Sequence, residues 1–374
     1  MERIYLDNAS TTKPCTQAVE AAMSAITEGY GNPSSRHLMG LEAERTIKGA
    51  RKAVATRLGV NAGNLYFTSG GTESNNLAII GSSMAFRQKG RILTTRIEHK
   101  SVLNPFAYLE KEGFIVDYID VDKHGVVNLN ALEDKLCQDV QLVSMMMVNN
   151  EIGSIQPIEQ AYQIIKNKSN ALFHVDAVQG LCKINQRIKA DLISVSAHKI
   201  GGLKGCGALY IADKVKIKPL FYGGGQEQGV RVGTENVPSI AAFGAACRAI
   251  DIEGNYCKVK ELNTILRSIE GAEILSPIDA SPYILSIGFA GAKSEVLLHS
   301  LEQKGIYVSS GSACSSNKQE QSHVLTAMGC SRSIVDSSIR ISLCGYNTLE
   351  EVKQAVIIIS QTAKELVKII GAKK

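Results

Sequence analysis

Four short stretches of this 374-residue chain set reactive side chains among small, polar or glycine neighbours. The first, Ser194-Val195-Ser196-Ala197-His198-Lys199, runs into Ile200-Gly201-Gly202-Leu203-Lys204-Gly205. Strand alternation sets Ser196 and His198 on one side, where both can reach one anion. Lys199 falls where the strand gives way to the loop. A lysine in a partly desolvated cleft has a depressed pKa and can form a Schiff base with a carbonyl. Ser196-Ala197-His198-Lys199 also fits the Ser-x-x-Lys of serine acyl-enzymes, but the Ser-Asp-Asn and Lys-Thr-Gly that accompany that motif do not occur in the sequence.

The second stretch, Ser69-Gly70-Gly71-Thr72-Glu73-Ser74-Asn75-Asn76, follows an apolar run that ends at Thr68. Small residues opening a helix let backbone N–H groups approach a phosphate, with the helix dipole assisting. Taken alone, the stretch is equally an ordinary glycine turn with Thr72 as N-cap. It matches neither the nucleotide P-loop nor the dinucleotide fingerprint. The third, His174-Val175-Asp176-Ala177-Val178-Gln179, closes an apolar run on a carboxylate. Buried there without a partner, Asp176 would cost several kcal/mol or give up its charge. A protonated pyridinium nitrogen is one partner; a salt-bridging Arg or Lys is the plainer one, favoured without further context.

The fourth stretch, Ser309 to Asn317, carries Cys314 among residues too small and polar to pack a core. Cys182 and Cys247 sit in apolar company and read as small buried hydrophobes. Cys206, whose neighbours run into a strand, reads the same way. Nine cysteines, an odd number with no Cys-x-x-Cys pair, point to reduced thiols rather than a disulfide framework.

The elements that must position these residues alternate. Apolar spacing and Gly59 mark a helix over 36–58. Strand-like runs follow at 65–68, 91–95, 114–118, 141–148, 172–176, 191–196 and 208–211, with helical stretches such as 73–88 and 159–166 between them. Near-continuous apolar strands separated by helices indicate an α/β fold with a mainly parallel sheet covered on both faces. After about Asn255 the grammar changes to short strands at 284–289, 306–309 and 338–343, flanked by helices at 294–303 and 349–370. The last helix opens on Thr348-Leu349-Glu350-Glu351, a capping-box pattern. The expected organisation is a large domain, 15–254, with a smaller α+β domain built from 1–14 and 255–374.

Composition fits a soluble globular protein: 44% hydrophobic and 21% charged residues. The net charge of +5 is not gathered into any run, so neither nucleic acid nor an anionic membrane is implied as a partner. The N-terminus lacks the pattern of a secretory signal, and no apolar run approaches the ~20 residues that span a bilayer. A cytoplasmic location is expected.

The motifs occur together in an order that resembles the cysteine desulfurases, in the class-V aminotransferase group of fold type I pyridoxal-phosphate enzymes. The resemblance covers nearly the whole chain. It rests on Tyr5 to Thr12, Gly31 to His37, Phe67 to Asn76, Glu98-His99-Lys100, Asn149 to Gly153, His174 to Gln179, Ser196 to Lys199, Gly223 to Glu227, Gly311 to Cys314 and Ile339 to Leu343.

The resemblance implies roles. Lys199 would hold pyridoxal 5'-phosphate as a Schiff base and act as base on the substrate α-carbon. Asp176 would pair with the pyridinium nitrogen, His99 would stack on the ring, and Gln179 would bond its phenolic oxygen. Gly71, Thr72, Ser196 and His198 would hold the phosphate, with Thr234 supplied by the partner of a homodimer. Arg340 would bind the carboxylate of L-cysteine, with Asn150 nearby. Cys314 would accept the sulfur as a persulfide and pass it to an acceptor protein, a cluster scaffold or a tRNA-thiolation enzyme.

The spacing from Cys314 to Val324 resembles the longer-loop branch of the family, which serves iron–sulfur cluster assembly. Leu203 stands where the family usually has Pro, which alters loop stiffness rather than chemistry. The stretch after the last helix lacks the extended tail that some members use to dock the scaffold, leaving the acceptor open. The competing readings are selenocysteine lyase, cysteine-sulfinate desulfinase or aminotransferase on the same cofactor, and a silent sulfur-transfer scaffold. The Cys314 stretch speaks against the first group. The joint presence of Lys199, Asp176, His99, Cys314 and Arg340 speaks against the last.

Overall fold

The computed structural model describes residues 3–310 and 321–371, with side chains to 368. Cys314 lies outside the described residues. The strands, in chain order, are β1 (Ile4–Tyr5), β2 (Leu65–Thr68), β3 (Arg91–Thr95), β4 (Ile115–Ile119), β5 (Val140–Met146), β6 (Leu172–Asp176), β7 (Leu192–Ser196), β8 (Gly207–Ile211), β9 (Glu273–Ile274), β10 (Ile284–Gly288), β11 (Ile306–Tyr307), β12 (Ser309–Ser310) and β13 (Ser338–Ser342).

Seven of them form one sheet in the order β2-β8-β7-β6-β5-β3-β4. β7, β6, β5, β3 and β4 run parallel, whereas β8 is antiparallel to both of its neighbours. Every residue of β7 is buried, as expected for a strand covered on both faces. A second sheet, β12-β13-β10-β9, is antiparallel, and β1 pairs with β11 in a two-stranded ribbon. One contiguous apolar core reaches both larger sheets, taking in Phe173 and Val175 of β6 as well as Ile287 of β10 and Ile339 of β13.

Of the first four helices, α1 (Thr16–Thr27), α2 (Leu38–Leu58), α3 (Gly71–Asn76) and α4 (Lys100–Lys111), the last two contribute residues to the site. α2 ends on Gly59 at φ 69°, a left-handed cap that glycine takes without steric penalty. α1 and α2 pack on the helix Val237–Ala249. The last helix, Leu349–Gly371, does open on a reciprocal cap: Glu351 N–H donates to Thr348 Oγ1 at 3.2 Å, and Thr348 N–H to Glu351 Oε2 at 3.0 Å.

Three expected elements differ. The helix expected over 73–88 begins at Gly71, passes into a π turn at Leu77–Gly81 and ends soon after. Gly81 is pressed against Lys218, whose N–H takes the Gly81 carbonyl at 3.0 Å. The strand expected to reach Val148 stops at Met146: Met147 N–H still donates to Asp176 O, but its carbonyl accepts from Gln156 N–H and Val148 bridges to Ile155. The strand expected over 306–309 divides between two sheets, since Ile306–Tyr307 pairs with β1 and Ser309–Ser310 with β13.

Candidate active site

In an open α/β sheet the crevice lies beyond the carboxyl ends of the strands. Here the register places β2, β6 and β7 together at that end: Thr68 and Ser196 both lie opposite Gly207, and Asp176 lies opposite Met146 and Ser194. A cavity of about 420 Å³ opens there, of a size that suits a small-molecule cofactor with its substrate. Of the residues singled out in the sequence, Gly71, Thr72, His99, Asn150, Asp176, Gln179, Ser196, His198, Lys199 and Arg340 line it. Thr234 does not, and is exposed on the loop before the Val237–Ala249 helix.

One end is an anion cradle. α3 is capped by Gly70 at φ 155°, so Thr72 is the second helical residue and not the N-cap. A β-carbon on Gly207 would come within 2.6 Å of Gly70 Cα, so this crossing requires glycine. The first N–H groups of a helix have no partner inside it, and those of α3 open beside Ser196. The Ser196 hydroxyl is buried without a hydrogen-bond partner. Buried polar atoms are rarely left so, and an oxygen-rich anion supplies what this one lacks. His198 Nδ1 meets Thr11 Oγ1 at 3.2 Å, and burial, aided by Lys199, pushes the imidazole down to about 4.

At the opposite side, Asp176 is 5% exposed. Its Oδ2 accepts from Asn75 Nδ2 at 2.8 Å and its Oδ1 from the N–H of Val178 at 3.0 Å. Asn75 Nδ2 also donates to Ser101 Oγ at 2.8 Å, and Ser101 Oγ lies 2.8 Å from His99 Nδ1. Ser101 N–H donates to the same nitrogen at 3.1 Å, so the neutral ring carries its proton on Nε2. Burial holds His99 below the usual histidine range, with Asp176 opposing and Lys199 assisting. Asn75 and Ser101 thus join the acid to the imidazole. Neither was singled out in the sequence, although Asn75 lies inside a quoted motif.

Lys199 Nζ donates to the carbonyls of Ala9 and Ser10, each at 2.8 Å. Gln179 Nε2 donates to the same Ala9 carbonyl at 2.9 Å. Arg340 comes from β13 of the other sheet and is 5% exposed. Its Nη1 donates to the Asn150 carbonyl at 2.9 Å, and its Nη2 to Asp7 Oδ1 at 2.9 Å and Ser10 Oγ at 2.7 Å. Its Nε is buried without a partner.

Two further carboxyl groups are buried nearby: Glu151 lines the cavity, and Glu98 lies beneath it, bonded to the N–H of Met146. Burial pushes Glu98 up to about 8 and Glu151 up to about 7. Glu151 accepts from Ser322, and His323 Nε2 lies 2.8 Å from the Glu98 carbonyl. Cys206 is 1% exposed and burial raises its thiol far above the usual range, as suits a packing residue.

Set beside known proteins, residues 4–355 match the family model of the class-V aminotransferases. A cysteine desulfurase named IscS, from Methanosarcina thermophila, is 41% identical over 97% of this chain and 92% of its own. A solved structure of a NifS-like protein superposes with a TM-score of 0.90 at 40% identity, covering 99% of both chains. One of SspA in complex with cysteine superposes with a TM-score of 0.83 at 33% identity, covering 92% of this chain and 99% of that one. The chain belongs to the class-V aminotransferase family, in its cysteine desulfurase group. The cofactor of that family is pyridoxal phosphate. The residues present fit it: a cradle with an unpartnered hydroxyl, a buried carboxylate at the far side, an imidazole held by its neighbours and an amine between them.

Among the described residues no group of His, Cys, Asp or Glu could hold a metal ion, and no helix is long and apolar enough to cross a membrane.

Proposed function

We propose that this chain is a pyridoxal-phosphate-dependent cysteine desulfurase that converts L-cysteine to L-alanine and leaves the sulfur as a persulfide on Cys314. One observation carries the reading: an amine (Lys199), a buried carboxylate (Asp176) and a guanidinium (Arg340) open into one cavity beside an anion cradle. That is the donor set for a phosphorylated pyridine aldehyde together with an amino-acid carboxylate. Ser196, His198, Gly71 and Thr72 would hold the phosphate, Asp176 would pair with the ring nitrogen, His99 would stack on the ring and Gln179 would bond its oxygen. When bound, the cofactor supplies an electron sink for the substrate α-carbon.

The protein's own groups do the rest. Arg340 takes the substrate carboxylate through its planar fork, a geometry that lysine cannot offer. Lys199, on a 3-10 turn at the strand end, takes the proton from the α-carbon and returns one to the product. His99, neutral and with its proton on Nε2, would be a hydrogen-bond donor toward the bound group. The Cys314 thiolate then attacks the substrate sulfur. An S–S bond forms, the substrate C–S bond breaks, and its electron pair remains with the carbon that becomes the alanine methyl group. The same sulfur must afterwards be carried outward to a scaffold or tRNA-thiolation acceptor.

The active unit we propose is a homodimer in which Thr234 of one copy completes the phosphate site of the other. Its exposure outside its own cavity supports this, as does the exposed apolar stripe Val19, Met23 and Ile26 on α1. The large domain 15–254 and the smaller one formed by 1–14 and 255–374 then meet at the cavity. Elimination from selenocysteine or a sulfinate depends less on a nucleophilic thiol such as Cys314, and the solved SspA structure is of a complex with cysteine.

The test is to load the protein with cofactor and compare wild type with Cys314→Ala on L-cysteine. Both should be yellow, and only wild type should yield alanine and reducible sulfur in equal amounts. A protein that cannot be loaded refutes the reading; unchanged sulfur release from the variant refutes the role of Cys314.

A further inference from the structure

Behind Gln179 lies a buried lysine that the mechanism above does not use. Lys183 follows Gln179 by four residues, in a turn where Lys183 N–H and Ile184 N–H both donate to Gly180 O, at 3.1 and 3.0 Å. The turn, with Cys182 at φ 57°, folds the two side chains against each other. Lys183 is 6% exposed, and its Nζ donates to Gln179 Oε1 at 3.0 Å. An ammonium has three donors and no acceptor, and a backbone carbonyl only accepts. Lys183 therefore claims the oxygen of the Gln179 amide, while the Ala9 carbonyl claims its NH2 at 2.9 Å. The amide is oriented from both ends. Because Lys199 also donates to Ala9 O, a continuous chain of contacts runs from Lys183 through Gln179 and Ala9 to Lys199.

The charges around this chain are unbalanced. Burial pushes the Lys183 ammonium down to about 7, with Lys199 and Arg340 acting in the same sense and the thiols of Cys344 and Cys182 opposing. The ring of Tyr283 lies 5.8 Å from Nζ, and the Tyr283 hydroxyl is buried without a hydrogen-bond partner. These are the titratable groups that act on Lys183 from the 177–184 turn, β13, the stretch that follows it and the start of β10, and no carboxylate is among them. Buried charge requires a counter-charge or hydrogen bonds to be tolerated. Lys183 does not line the cavity itself but stands behind Gln179, which does, so an anionic group set against Gln179 would supply the missing counter-charge.

We infer that Lys183 is a positioning residue: it fixes the Gln179 amide with its N–H edge toward the cofactor's ring oxygen and sets a positive charge behind that oxygen. The inference rests on the cofactor reading above. With the cofactor's oxygen as the counter-charge it otherwise lacks, Lys183 stays an ammonium; a cation there opposes a proton on the bound cofactor's nitrogen, so removing it favours the protonated form.

The experiment titrates the visible absorbance of the holoenzyme with pH, in wild type, Lys183→Met, Lys183→Gln and Lys183→Arg. Removing the positive charge behind Gln179 should raise the midpoint by about one pH unit in the Met and Gln variants. Arg, which keeps the charge, should restore the wild-type midpoint. Should Lys183→Met fail to fold, Lys183→Gln carries the test, since its amide can still bond Gln179. Met and Gln variants with lowered thermal stability but an unmoved midpoint overturn the inference and leave Lys183 as core filling. A wild-type protein with no visible band dependent on Lys199 overturns the cofactor reading, and this role with it. A normal band with an unmoved midpoint overturns this role alone.

Discussion

Glu98 should make the protein less stable as the pH rises, and Glu98→Gln should remove that loss. The carboxyl is fully buried; its Oε1 accepts from Thr95 Oγ1 at 2.6 Å and from Met146 N–H at 2.8 Å, while Oε2 has no partner. Burial, with the charge of Asp176 adding, outweighs those two hydrogen bonds and lifts the group from 4.5 to about 8. In the unfolded chain it ionises near 4.5, so above that pH folding must take up a proton. The stabilising contribution is therefore complete below the unfolded value and is lost as the pH rises toward about 8. The slope is about 1.4 kcal/mol per pH unit, which accumulates to several kcal/mol. Gln keeps the acceptor oxygen and the shape of the protonated acid and has no proton to take up. With an unfolding entropy of about 2 cal/mol/K per residue, 1 kcal/mol moves the midpoint of a chain this long by little more than ~1 °C. Thermal unfolding followed from pH 5 to pH 8 should show the two proteins together at the acid end. The variant should be about 3–5 °C higher at the alkaline end. Parallel curves would refute the buried, neutral carboxyl.

Asn75→Ala removes a hydrogen bond to a charged Asp176 and the link to Ser101. At about 1.5–3 kcal/mol for such a bond, cofactor affinity should fall ~10- to 100-fold in a spectroscopic titration; unchanged affinity would place Asn75 outside the cofactor's support. Arg340→Lys should raise KM for L-cysteine at least about tenfold while leaving the visible spectrum unchanged, because the planar fork is lost and the cofactor cradle is not. An unaltered KM would move the carboxylate site elsewhere. Cys206→Ala should leave alanine and sulfur yields at the wild-type level, and Cys206 of the native protein should resist alkylation at neutral pH. Ready labelling would contradict its burial.

Much of the site could be read before the fold was seen, because several of its members announce themselves locally. Lys199 follows a buried strand and precedes glycines, and Asp176 closes an apolar run; both are anomalies that demand a chemical reason. Asn75, Ser101 and Lys183 gave no such signal. A buried asparagine in a helix looks ordinary until β6 brings Asp176 to it, and a lysine in a turn looks ordinary until the fold buries it. The misplaced edges have the same origin. The helix after Gly71 contains a π turn and stops early because Gly81 meets Lys218, a contact across 137 residues that no local pattern encodes. Strand β5 ends at Met146 because Gln156 N–H takes the Met147 carbonyl and Ile155 bridges to Val148.

The sequence by itself determined the alternating elements, the burial of the central strands and the identity of the reactive groups, since these depend on side-chain polarity, spacing and intrinsic chemistry. Tertiary structure decided their joint geometry. Arg340 reaches the cavity from a different sheet, and Ala9, near the start of the chain, gives its carbonyl to both Lys199 and Gln179. Whether a buried group is charged was likewise decided there: Glu98, Glu151 and Lys183 are moved by the desolvation and neighbours that the fold imposes. A side chain carries its ordinary pKa in the sequence; its working value belongs to the place where it is buried.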